Sequence, residues 1–295
     1  MKIVTRIKGG LGNQLFCYAA ARRAAVINNA ELVIDHVTGF ERDFEYLRKY
    51  GLDHFHIPCR KTTPSERMEP FARYRRFAAK MISRRKIFSE RRYIEEDRSD
   101  FDSRLLEIRP QGTIYIDGLW QSEQYFKDIE NIIREDLRII PPEDEFNKIM
   151  YRKICGNNAV ALHVRWFDVP GSTERHNISY DYYNRAIAMI DRNVVSPHYY
   201  IFSDQPQAAF DKLKLNAERV TLVTHNKGDE NAYADLWLMS QCQHFITANS
   251  TFSWWAAWLS AASGKMVIHP KHIVRDKETA PWNFKSSLPN GWITL

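Results

Sequence analysis

The sequence predicts an α/β protein made of two domains, each built on a parallel sheet. Three observations carry this reading. The second half alternates short apolar runs at 159–164, 199–202, 220–223, 245–248 and 266–268 with helical patterns at 180–191, 207–213, 231–242 and 251–262. Such runs form strands buried on both faces, and helices between them make βαβ units. The first half opens with a β-branched strand at 2–7, the turn Gly9-Gly10-Leu11-Gly12 and a helical pattern over 13–28, again in β-turn-α order. Runs at 32–35 and 113–117 continue this first sheet, and the charged stretch between them reads as helical. Finally, Pro141-Pro142 followed by Glu143, Asp144 and Glu145 reads as a linker, because paired prolines stop a helix and an acidic run is solvated. It sets the domains at 1–145 and 146–295, in keeping with roughly 150 residues per domain.

Composition excludes several classes. A chain of 295 residues with 44% hydrophobic and 26% charged residues is neither disordered nor collagenous. No apolar run approaches the ~20 residues of a membrane span. Asn13, Gln14 and the glycines interrupt any secretory apolar core near the start. Cys17, Cys59, Cys155 and Cys242 form neither a CxxC pair nor a zinc spacing, so reduced thiols and a cytoplasmic protein are expected. The net charge of +6 is unevenly spread: residues 60–92 hold twelve Lys/Arg against Glu66, Glu69 and Glu90, a net of +9. The basic character belongs to that segment and not to the whole surface.

In open parallel sheets ligands bind beyond the carboxyl ends of the strands. Here those ends read His163-Val164-Arg165-Trp166-Phe167-Asp168, then Ser203-Asp204, His225, and Asn249-Ser250-Thr251-Phe252. Each alone has an ordinary explanation: a satisfied histidine, a Ser-Asp turn, a helix N-cap. Their coincidence on one edge of one sheet points to a ligand. A helix starting at 249–251 offers backbone N–H groups to an anion, and Arg165 adds a fork-shaped cation suited to phosphate. No Asp/Glu/His cluster at metal spacing accompanies them, and Asp100-x-Asp102 lies in a charged segment that reads as a solvated face. A diphosphate without a metal is therefore the expected ligand. The glycine turn, with Gly10 and Gly12, fails as a dinucleotide fingerprint because Leu15 stands where the third glycine belongs, and it lacks the Gly-Lys-Ser/Thr end of a phosphate loop. It remains a place of close backbone approach, followed by Asn13 and Gln14, with Asn13 read either as a cap or as a site residue.

These residues resemble a known family. The runs 9–16 (GGLGNQLF), 118–126 (GLWQSEQYF), His163-Val164-Arg165-x-x-Asp168, Phe202-Ser203-Asp204, and 235–240 (DLWLMS) leading to 248–255 (ANSTFSWW) are similar to the bacterial α-1,2-fucosyltransferases of glycosyltransferase family eleven. The resemblance implies a GT-B architecture, two Rossmann-like domains facing across a cleft, with the acceptor on the N-terminal side and GDP-fucose on the C-terminal side. It also implies metal-independent, inverting transfer of fucose from GDP-β-L-fucose to the 2-hydroxyl of a terminal galactose, in an oligosaccharide or a lipid-linked glycan, as in O-antigen biosynthesis. No cofactor is implied.

By that similarity Arg165 binds the β-phosphate and His163 lies near the donor. Ser250, Thr251 and Phe252 hold phosphate and nucleoside, beside Ser203, Asp204 and Asn249, and Asn13 reaches the reacting centre. Asp168 is the first candidate for the base and His163 the second. Trp166 and Phe167 depart from the family's frequent Arg and Gly.

The segment 70–88 reads as a basic amphipathic helix, with Phe71, Tyr74, Phe77, Ala78, Met81 and Ile82 in one stripe. Either the stripe packs on the N-terminal domain, or the helix lies on the inner face of the plasma membrane, since relatives build lipid-linked glycans. A nucleic-acid partner is not expected, because the aromatics keep to one stripe and do not form a stacking sheet. The rival functions are a glycosyltransferase of this fold with another donor or linkage, and a non-catalytic GDP-sugar-binding module.

Overall fold

A computed structural model describes residues 1–98, 100–109, 111–165, 178–271 and 288–295. The chain divides into two compact units, Met1–Arg138 and Ile139–Leu295, a few residues ahead of the division at 145/146 read from the sequence. The acidic run after the paired prolines is more than a solvated linker. Within it Asp144 caps a helix, its carboxylate accepting the Asn147 N–H at 2.9 Å.

The first unit carries a five-stranded sheet, β1 (Lys2–Arg6), β2 (Glu31–Asp35), β3 (Arg60–Lys61), β4 (Tyr93–Glu95) and β5 (Thr113–Asp117), in the order β3-β2-β1-β5-β4 with every pairing parallel. Helix α1 (Leu11–Ile27) follows β1 and is buried almost all round, from Leu11 to Ala25, because its small Ala19, Ala20, Ala21, Ala24 and Ala25 let neighbouring elements approach. The stretch between β2 and β5 is mostly irregular; its one long helix is α2 (Ala72–Arg84), set against the edge strand β4. Helix α3 (Glu130–Asp136) closes the unit. Asp102, expected on a solvated face, is 4% exposed and held by Arg104 Nε at 2.8 Å.

The second unit begins with α4 (Glu145–Cys155). Its sheet comprises β6 (Asn158–Val164), β7 (Pro197–Ser203), β8 (Val220–Leu222), β9 (His244–Ile246), β10 (Val267–His269) and β11 (Ile293–Thr294). These run parallel in the order β11-β10-β9-β6-β7-β8. This is the doubly wound order in which the first strand lies at the centre and the sequence of strands reverses beside it. The described helices of this sheet are α5 (Tyr180–Asn193), α6 (Pro206–Leu213), α7 (Ala232–Ser240) and α8 (Thr251–Leu259). Val160, Leu162, Tyr199, Ile201 and Ile246 pack with Tyr183, Ala186 and Ile190 into a dry core. Trp254, Trp255 and Trp258 anchor α8, with ring centroids 5.0 to 6.2 Å apart.

One buried charge organises the first sheet. Asp117, at the carboxyl end of β5, is 2% exposed and receives Lys8 Nζ at 2.9 Å, Lys80 Nζ at 3.2 Å, Arg6 Nη1 at 3.4 Å and the Tyr93 hydroxyl at 2.8 Å. Burial raises its pKa, yet Lys8, Arg6 and Lys80 outweigh that and hold the carboxyl well below the usual carboxylate range. A depressed pKa stabilises the fold fully above the unfolded value near 4, and the contribution is lost as pH falls below it. Asp117→Asn leaves three cations without their anion. In urea unfolding at pH 7 it should cost roughly 3 kcal/mol, with the difference from wild type shrinking in acid; a pH-independent difference below about 1 kcal/mol would contradict the assignment.

Candidate functional site

In the second unit the strand order reverses between β6 and β9, so the loops leaving their carboxyl ends part and leave a crevice. His163 and Arg165 end β6, and the β9 side supplies Asn249, Ser250, Thr251 and Phe252. The His163 and Phe252 rings meet across this point at 5.8 Å and 45°. His163 is 7% exposed, and its Nδ1 has no hydrogen-bond partner among the described residues. Burial, and then the neighbouring Arg165 charge, push its pKa down to about 3, so the imidazole is neutral at physiological pH.

The start of α8 is fixed from behind. Ser250 caps it, its hydroxyl accepting the Phe252 N–H at 3.3 Å. Ser253 Oγ accepts the Ala248 N–H at 3.2 Å and donates to the Ser250 carbonyl at 3.3 Å. The hydroxyl of Tyr182, on α5, sits 2.8 Å from the Thr247 carbonyl and 3.0 Å from that of Ile268. The first turn of α8, whose dipole favours anions, thus opens onto the crevice beside the strand end that carries Arg165.

Ser203 pairs in register with Val164, so it stands on the same edge. Its hydroxyl serves a local turn: it donates to Asp204 Oδ1 at 3.2 Å and accepts the Gln205 N–H at 3.1 Å, ahead of Pro206 at the start of α6. Asp204 is exposed. Asp168, with Trp166 and Phe167, lies outside the described residues.

The end of β8, where the sequence places His225 among the polar strand ends, carries a polar cluster. Asn147 Oδ1 lies 3.1 Å from His225 Nε2 and accepts Asn226 Nδ2 at 2.9 Å, and Asn226 Nδ2 also reaches Asp235 Oδ1 at 2.9 Å. Burial pushes the Asp235 carboxyl up to about 7. Asp235 begins the 235–240 run and His225 ends a strand, and these are the available signals; the asparagines carry none.

In the first unit, taken by itself, the strand order also turns beside β1, next to β5. Of the turn's glycines, Gly9 is the one that the backbone requires: its φ is +76°, and a Cβ there would stand 2.8 Å from Asn13 Nδ2. Gly10 is the N-cap of α1 with ordinary extended angles, and Gly12 lies buried in the helix. Asn13 Oδ1 accepts Gln121 Nε2 at 2.8 Å, linking the loops after β1 and β5. Gln14 is structural, donating to the carbonyls of Gly9 at 2.9 Å and Lys49 at 2.8 Å and accepting the Gly51 N–H at 2.9 Å.

The Gln121 loop is held by Glu96, which accepts the N–H groups of Leu119 at 2.7 Å and Trp120 at 3.0 Å. Trp120 adopts φ +51°, a strained value for a bulky residue. Glu96 follows a three-residue edge strand too short to show a period, so no sequence pattern marks it. Among the described residues no group of three His, Cys, Asp or Glu is placed to hold a metal ion.

Known proteins similar to this chain are glycosyltransferases. An Escherichia coli alpha-1,2-colitosyltransferase is 24% identical over 300 residues, covering 99% of this chain and 98% of the relative. The Escherichia coli O-antigen biosynthesis glycosyltransferase WbnK is 28% identical over 312 residues, covering 98% and 99%. Among solved structures, a variant of Arabidopsis thaliana FUT1 in complex with GDP superposes with a TM-score of 0.53 at 12% identity, covering 90% of this chain and 69% of that one; the two share a fold, which is α/β of the GT-B type. The model of the family described as Glycosyl transferase family 11 matches residues 2–295, and with the whole sequence accounted for in this way the chain belongs to that family.

Proposed function

We propose that this glycosyltransferase moves L-fucose from GDP-β-L-fucose to the 2-hydroxyl of a terminal galactose, with inversion and without a metal, in the synthesis of a bacterial O-antigen or similar surface glycan. The observation that carries the reading is the reversal of strand order between β6 and β9, where Arg165, the capped start of α8 and a neutral His163 share one sheet edge. A leaving diphosphate gains negative charge as the bond from its oxygen to the sugar C1 breaks. Arg165 and the α8 N–H groups supply fixed positive ends for that charge, and such preorganised donors are worth about 3 to 4 kcal/mol each. The acceptor hydroxyl oxygen attacks C1 from the opposite face, forming the α linkage, while a base takes its proton.

A histidine pushed down to about 3 is a weak base, so Asp168 takes that role in this reading, with His163 orienting the donor beside Phe252. Asn13, tied to Gln121, serves the acceptor side. The colitosyltransferase relative supports a second reading in which the donor carries colitose. A non-catalytic sugar-binding module would hold the donor without turnover.

Incubation with GDP-fucose, a GDP-linked colitose and other GDP-sugars, with and without galactosides, separates these readings. Galactoside-dependent GDP release from GDP-fucose is expected, and none from any donor would refute catalysis. Arg165→Ala should lower turnover by about a hundred- to a thousandfold, whereas near-normal activity would remove the site assignment. Excess chelator should leave the rate unchanged. Because His163 is neutral throughout, His163→Gln should lower kcat/KM without altering the shape of its profile between pH 5 and 8; loss of an acid limb in that variant would show the imidazole titrating.

A further inference from the structure

Helix α2 is mounted with its cationic face inward. Lys80 meets Glu95 at 2.5 Å and Asp117 at 3.2 Å, and Arg76 reaches Glu41 at 3.7 Å. Ala72 and Ser83 are buried on the same side, where Ser83 Oγ accepts the Tyr93 N–H at 3.0 Å. The apolar stripe therefore does not pack on the domain; it faces out. Phe71 is 72% exposed, Tyr74 70%, Phe77 65% and Ile82 59%, with Met81 and Ile87 also exposed.

At 100° per residue, Arg73 and Arg84 border one side of this stripe, Arg84 also pairing with Glu95 at 2.8 Å, and Arg75 borders the other; Arg85 and Lys86 follow the last turn, and all five are exposed. Scattered apolar residues on a surface need no explanation, but a contiguous aromatic strip rimmed by cations marks an interaction site. We propose that this face docks on an anionic lipid bilayer, the aromatic strip seated at the boundary between headgroups and acyl chains and the arginines on lipid phosphates.

Charge complementarity selects this occupant. A second copy of the chain would bring Arg73, Arg75, Arg85 and Lys86 against their own like charges. An anionic headgroup layer neutralises all of them while it covers the aromatics. The anchoring is peripheral, since no helix among the described residues is long and apolar enough to cross a membrane. The inward contacts of Lys80 and Ser83 hold the helix on the sheet, so docking needs no rearrangement of α2.

Co-sedimentation of the full chain with phosphatidylcholine vesicles, with and without phosphatidylglycerol, tests the proposal independently of any donor or acceptor. Binding to the phosphatidylglycerol vesicles is expected, with little to phosphatidylcholine alone and a decline as salt is raised. Phe77→Glu with Met81→Glu should weaken binding at least about tenfold, and Arg73→Ala or Arg85→Ala by about fivefold each. Thermal unfolding should be unchanged, because these side chains face out. Failure of the wild type to bind, or equal binding by the Phe77→Glu/Met81→Glu variant, would overturn the proposal. So would a dimer in sedimentation velocity that this variant abolishes, which would assign the face to a second copy.

Discussion

The constraint on which the rest of this structure depends is the burial of both faces of two parallel sheets. A strand covered by helices on either side disfavours unpaired polar groups, so the centre of β6 reads AVAL and that of β7 YYIF. Polar chemistry is driven to the strand ends. The edge where chains leave the carboxyl ends is the one that parts at the reversal of strand order. His163, Arg165, Ser203 and the 249–252 turn share that edge for this reason, and the same logic places Gly9 and Asp117 at the ends of β1 and β5.

Within the first unit the second organising force is one carboxylate. Asp117 draws Lys8 and Arg6 from the chain around β1 and Lys80 from α2. A buried anion with three cations is costly unless every partner is in place, so its position fixes the rotation of α2 about its axis. Once Lys80 and Ser83 face the sheet, the helix geometry sends Tyr74, Phe77 and Met81 to the outside. The electrostatics of the interior thereby sets the character of the surface: within α2, Lys80 and Arg76 bind inward, while Arg73 and Arg75 stand exposed beside the apolar stripe.

How much of this is legible in the sequence follows from the same physics. Long apolar runs announce the central strands, and the reading of 113–117 matches β5 to the residue. Edge strands β3, β4 and β11 are two or three residues long; β3 is Arg60–Lys61, both exposed, and nothing in composition marks it. Helix α4 is hidden because Pro141-Pro142 and its acids look like a linker until Asp144 is seen as a cap. Periodicity reveals the stripe on α2 but not which way it faces, since that depends on Asp117 some 37 residues beyond Lys80. At the site, residues that end strands are visible and Gln121 lies within the 118–126 run, whereas Glu96, which holds the strained turn at Trp120, leaves no local pattern.

The neutral state of His163 narrows what that residue can do. Two causes lower its pKa, burial first and the Arg165 charge second. Without ligand the larger cause is burial, and His163 is a neutral ring with one nitrogen to donate and one to accept. Beside Phe252, such a ring can orient a donor by packing and a directed hydrogen bond without adding charge. In the proposed reaction that division of labour assigns the growing negative charge to Arg165 and the start of α8 and the acceptor proton to a carboxylate rather than to this ring.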